Sequence, residues 1–71
     1  MWLKINNKFV NLNTGIYMEK SENNVEELYF IYLKSLHSDR KVILFSNFNE
    51  EEIDIIFNNI IENIRAFLCK N

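Results

Sequence analysis

Few residues of this chain carry side chains that do chemistry, and their spacing keeps them apart. His37 is the only histidine and lies in the run His37-Ser38-Asp39-Arg40. Serine, histidine and aspartate form a nucleophilic triad only when a scaffold brings them together from different elements. Three successive residues of one turn diverge, so a solvated turn is the expected state. Cys69 is the only cysteine. A reactive thiol needs an electropositive neighbourhood and a base; Lys70 is adjacent, but nothing places His37 beside it, and an inert thiol is the better reading. Glu50, Glu51, Glu52 and Asp54 form an acidic cluster that suggests a metal site or a mimic of nucleic acid. Their place at the start of a helix already accounts for them, and a phosphate mimic needs far more charge than the formal −2 of the chain. Glycine-rich phosphate loops and metal-ligand spacings are absent. The expectation is a protein that is not an enzyme and uses no metal or cofactor.

A second group of residues could bind. Lys4, Lys8 and Lys34 interleave with Trp2, Phe9, Tyr17, Phe30 and Tyr32 along segments that read as strands. Aromatic and basic residues sharing one face of a sheet can stack single-stranded bases and hold their phosphates. Glu19 on the same face and the acidic total count against that use.

These residues are positioned by five short strands and one helix. Leu3–Ile5 and Phe9–Leu12 flank Asn6-Asn7-Lys8, a hairpin turn built on asparagine's tolerance of positive φ. Asn13-Thr14-Gly15 turns the chain into Ile16-Tyr17-Met18-Glu19. The polar stretch from Ser21 to Glu27 connects to Leu28–Leu33, dense in β-branched and aromatic residues. His37–Arg40 turns again into Lys41–Phe45. The expected strands cover about 2–6, 9–13, 15–20, 27–35 and 41–46, and the helix about 50–69. The fold class is therefore α+β: a four- to five-stranded antiparallel meander with one long C-terminal amphipathic helix on one face. One domain spans residues 1–71.

The helix is the clearest element. Asn49 suits the N-cap, Glu52 falls at the third helical position of a capping box, and Phe48 and Ile53 are spaced for a hydrophobic staple. The acidic first turn and Lys70 near the end suit the helix dipole. Ile53, Ile56, Phe57, Ile60, Ile61, Ile64, Phe67 and Leu68 form a stripe about 140° wide, fit to cover a sheet.

Taking the more aliphatic residues as core-facing places Leu3, Ile5, Val10, Leu12, Ile16, Met18, Ile31, Leu33 and Leu44 under that helix. The other face then carries Trp2, Phe9, Tyr17, Phe30, Tyr32 and Phe45, with Ile43 among them. One helix covers one face, and a face this aromatic is more than a monomer usually exposes. Those six aromatics are the candidate interface. A strongly curled sheet could instead bury much of that face itself.

Composition narrows the setting. The hydrophobic share is 48%, the charged share 25%, and there is no proline. Domains this small often lean on disulfides, metals or oligomerisation, and a lone cysteine and single histidine leave oligomerisation. No apolar run reaches the ~20 residues of a membrane span, and the first residues lack the apolar core of a signal peptide. A cytoplasmic homodimer that binds another protein, with no membrane partner, is the expectation. A single-stranded nucleic-acid binder is the alternative.

The opening Met1-Trp2-Leu3-Lys4-Ile5-Asn6-Asn7-Lys8-Phe9-Val10-Asn11-Leu12, followed by strands and a helix, resembles small proteins of AT-rich bacteria and their phages. Some of these resemble a reduced pleckstrin-homology-like sheet with its C-terminal helix, although the full domain has more strands than this chain supplies. Compact acidic chains without motifs also resemble phage inhibitors of host defence, anti-CRISPR proteins among them. That resemblance implies a partner-blocking role and assigns no residue.

Overall fold

The computed structural model describes residues 1–69. Five strands, β1 (Trp2–Ile5), β2 (Lys8–Asn11), β3 (Ile16–Asn23), β4 (Leu28–Ser35) and β5 (Lys41–Asn47), form one antiparallel sheet in chain order. The helix α1 (Glu50–Cys69) packs against it. This is the α+β meander the sequence implies.

Of the three positive-φ positions among the described residues, Asn6 and Gly15 suit that backbone, and Glu27 (φ 52°) in the β3–β4 connection does not. Asn6 has φ 54° in the two-residue turn between β1 and β2. Its neighbour Asn7 donates from Nδ2 to the Lys20 carbonyl at 2.8 Å, which ties that turn to β3. Gly15 has φ +73° and donates its N–H to the Asn11 carbonyl at 2.8 Å, a conformation that costs a residue with a Cβ about 1 kcal/mol or more. The third connection is shorter than the polar composition of Ser21–Glu27 suggests. β3 continues through Asn23, paired with Leu28, so Ser21, Glu22 and Asn23 are strand. Polar residues suffice there because Glu22 and Asn23 are exposed.

Asn49 caps α1: the Glu51 N–H donates to Asn49 Oδ1 at 2.9 Å. The reciprocal half of the expected capping box is replaced. The Asn49 N–H donates to Asn47 Oδ1 at 2.8 Å, so Glu52 is not needed to satisfy it. The staple does not form either, since Phe48 is 76% exposed while Ile53 is buried. Lys70 lies outside the described residues.

The helix stripe does bury, but unevenly. Ile53, Phe57 and Ile61 are buried against Phe9, Met18 and Ile31; Ile56, Ile60 and Ile64 pack at the margin. Phe67 and Leu68, at the end of the same stripe, are exposed.

Strand pairing shows which sheet residues meet the helix. Lys4, Phe9, Met18, Leu33 and Val42 form one row across the sheet, and Lys20, Ile31 and Phe45 another, both on the helix side. Trp2 stacks on Phe9 with ring centres 5.0 Å apart. In β1 and β2 the aliphatic choice is thus overturned. Trp2 and Phe9 face the helix; Leu3, Ile5 and Val10 face away. Phe9 is fully buried, whereas Leu3 and Ile5 are 44% and 46% exposed. The larger rings take the covered side, where burial removes most apolar area from water. In β5 a bulge opposite Ile31 and Tyr32 inserts Leu44 as an extra residue, and this puts Ile43 and Phe45 on opposite faces.

The result is a slab, 41 × 26 × 18 Å. Its radius of gyration is 12.6 Å, against about 11 Å for a compact chain of this length. The accessible surface is 5339 Å², against roughly 4700 Å² for a typical monomer of this mass. One helix on one sheet leaves surface that a second layer would normally cover.

Candidate functional site

The face turned away from α1 is built from two rows of cross-strand neighbours. One runs Leu3, Val10, Tyr17, Lys34, Lys41; the other runs Ile5, Lys8, Glu19, Tyr32, Ile43. Phe30 lies beside them, between Ser21 and Ser46. Of the six aromatics expected on this face, Tyr17, Phe30 and Tyr32 are brought together here. Trp2, Phe9 and Phe45 belong to the helix side.

No helix covers this face, yet its tyrosines are not open. Val10, Tyr17 and Tyr32 form a small second core with Phe30 against it. Tyr17 and Tyr32 meet edge to face at 6.5 Å, and Phe30 and Tyr32 lie 6.0 Å apart. The cover is supplied by lysines. The Lys8 ammonium stands 5.2 Å and the Lys34 ammonium 5.9 Å from the Tyr17 ring centre, and Lys41 stands 4.7 Å from that of Tyr32. A lysine lays its methylene stem along an aromatic ring and keeps its charge in water, and the ring quadrupole attracts the cation. Sheet pairing positions all three, because Lys8 neighbours Glu19 in the row of Tyr32, while Lys34 and Lys41 continue the row of Tyr17. This is the self-covering alternative realised by lysine stems rather than by curling of the sheet.

The Tyr32 hydroxyl donates to Glu19 Oε1. Burial first, and then that hydrogen bond, push the Tyr32 phenol well above the ordinary tyrosine value, so it stays a neutral donor. The face therefore carries three ammonium groups against the one carboxylate of Glu19, in a chain whose formal charge is −2. Lys4, expected here, lies on the helix side opposite Phe9. Lys41 takes its place: it precedes the bulge and shares the parity of Ile43, which alternation already puts on this face, although it was not among the lysines singled out there.

The residues with catalytic potential are not assembled. The His37 N–H donates to Ser35 Oγ at 3.1 Å, and Ser38 Oγ accepts from the Arg40 N–H at 3.2 Å, both local turn bonds. Cys69 is exposed at the end of α1. No group of three or more metal-ligating side chains gathers among the described residues.

A groove of about 320 Å³ lies on the other side, between β3 and the first turn of α1, lined by Asn7, Lys20, Glu22, Tyr29, Glu50 and Asp54. Its one cation is already engaged: Lys20 Nζ meets Asp54 Oδ1 at 2.7 Å and stands 5.3 Å from the Phe57 ring centre. Burial and then the charge of Glu50 raise the Tyr29 phenol above its ordinary value. The groove is shallow and acidic, and its polar groups serve the helix–sheet contact. Among the described residues no helix is long and apolar enough to cross a membrane.

No family model matches the chain, and no curated protein or solved structure matches it.

Proposed function

We propose that this protein is a non-enzymatic protein-binding module whose lysine-covered sheet face docks on an acidic surface of a partner protein. The observation that carries the reading is the placement of Lys8, Lys34 and Lys41 over Tyr17 and Tyr32, on the face that no helix covers. Three cations on a rigid sheet attract and orient an anionic surface, and such complementarity raises association rates and selects partners. Leu3, Ile5 and Ile43 supply half-exposed apolar contacts on the same face, the mixture of apolar and polar groups usual in protein interfaces.

Nucleic acid fits this face less well. Base stacking needs open rings, and Tyr17 and Tyr32 are 7% and 6% exposed. Phe30 alone is half open. A role as an inhibitor that blocks a host defence protein, as phage or mobile-element proteins do, is the most concrete form of the reading. It is supported by the small size of the chain and its formal charge of −2.

The test is capture of partners from the source cell on the tagged full chain, comparing wild type with Lys34→Glu. The expected result is a stoichiometric acidic protein lost on Lys34→Glu. Recovery of oligonucleotides, released as salt is raised, or identical protein capture by both, would overturn the reading.

A further inference from the structure

We infer that the lysine-covered sheet face also receives a second copy of this chain, whose α1 lays its outward side across Lys8, Lys34 and Lys41. This goes beyond the function proposed above. It uses the same sheet face, so stacking of copies and docking of the partner exclude one another. α1 buries Ile53, Phe57 and Ile61 against its own sheet. At about 100° per residue the opposite side of the helix carries Glu51, Glu52, Ile55, Asn59 and Glu62, and all five are exposed. The one basic residue of the described helix, Arg65, turns instead to Phe9. Three carboxylates thus back the slab, and three ammonium groups front it. None of the six forms an ion pair within the described chain, whose one ion pair is Lys20–Asp54.

Charge and spacing both fit a second copy as the occupant. Glu51 and Glu62 stand about 16 Å apart along a helix that rises about 1.5 Å per residue. Lys8 on β2 and Lys41 on β5 lie three strand spacings apart in neighbouring rows, which is also about 16 Å at a strand spacing near 4.8 Å. Glu51 and Glu52 of one copy then lie over Lys41 and Lys34 of the next, and Glu62 lies over Lys8. Two charges at one end and one at the other fix the direction of the helix. Lys34 and Lys41 are directly opposed across β4 and β5. Like charges so placed destabilise a strand pair, and carboxylates set above them relieve it. Ile55, 54% exposed, falls between the charged ends, on the lysine stems over Tyr17 and Tyr32. The acidic and basic sides are on opposite faces of the slab, so the contact is heterologous and each added copy leaves a free side for another. One helix side is a small, polar contact, at the low end of interface sizes. The association is therefore weak and falls as salt screens it.

The experiment is sedimentation equilibrium of the full chain at roughly 1 mM and low salt, conditions that detect even weak association, with circular dichroism as the check on folding. Wild type is expected to exceed the dimer mass and to return to monomer as salt is raised to about 0.5 M. Glu62→Lys, on the outward side of α1 and away from the partner-docking face, should weaken stacking roughly three- to ten-fold. Adding Glu51→Lys should leave a folded monomer. Lys34→Glu with Lys41→Glu blocks the other side and should also be monomeric. Mixing the two double variants restores one intact contact, the helix of the second on the lysine face of the first, and should give a 1:1 dimer that grows no further. A monomeric wild type overturns the inference, as does a mass indifferent to the glutamate substitutions or a mixture that stays monomeric. Should a double variant fail to fold, Glu62→Lys alone decides: weakening supports stacking, and no change overturns it. Glu62→Lys keeps the lysine face, so stacking lost with partner capture intact is the expected result. A wild type that stacks yet captures no partner fails only the function proposed above.

Discussion

Replacing Phe9 by alanine should remove a large share of the stability of this domain, while replacing Leu3, its aliphatic competitor for the core, should remove little. Phe9 is fully buried. It stacks on Trp2, pairs with Met18 and lies 5.6 Å beneath the Arg65 guanidinium of α1. Truncating a buried phenylalanine costs about 3–5 kcal/mol, the transfer loss plus the cavity it leaves. A 71-residue domain has roughly 4–11 kcal/mol in total, so Phe9→Ala should unfold in much lower urea or be partly unfolded without it. Leu3 is 44% exposed on the far face, and Leu3→Ala should cost about 1 kcal/mol. Urea titrations followed by circular dichroism compare the two. Equal losses, or a larger loss for Leu3→Ala, would refute the assignment of the β1–β2 aromatics to the helix side.

Asn49→Ala should destabilise by about 1 kcal/mol through loss of the cap to Glu51, read as a lower thermal midpoint with an unchanged spectrum. Gly15→Ala should cost about 1 kcal/mol or more, because φ +73° disfavours a Cβ; an unaltered midpoint would contradict that backbone. Tyr32 ionises less readily folded than unfolded, so the unfolded chain loses that proton first. Stability should therefore be full below about pH 10, the ordinary tyrosine value, and fall as pH rises above it. Tyr32→Phe should flatten that decline while costing about 1–3 kcal/mol at neutral pH from the lost bond to Glu19, both measurable in denaturant titrations from pH 7 to 11.

The helix was legible because two independent signals agree. Asn49 marks its start, and the isoleucines and phenylalanines from Ile53 to Leu68 repeat at helical spacing. The strands were legible for a similar reason, since Asn6-Asn7 and Asn13-Thr14-Gly15 are residues that turns require. Which face each strand presents was harder to read. Trp2, Phe9, Leu3 and Val10 are all apolar, so alternation gives β1 and β2 a phase without a sign. The pairing of Phe9 with Met18 under Phe57 sets that sign, a tertiary fact with no local trace. The bulge at Leu44 is equally silent, and it moves Phe45 to the helix side. The candidate face was therefore half readable: Tyr17, Phe30 and Tyr32 share it as expected, while Trp2, Phe9 and Phe45 do not. The role of lysine stems as the cover of the tyrosines escapes patterns that treat lysine only as a charge.

The claim at the centre of this account is that the lysine-covered face is where the partner sits. Amide chemical-shift mapping of the labelled full chain against the captured partner tests it most directly. The account predicts shifts confined to Lys8, Tyr17, Phe30, Tyr32, Lys34, Lys41 and their neighbours on that face. Shifts centred on α1, or on the groove between Tyr29 and Asp54, would contradict it.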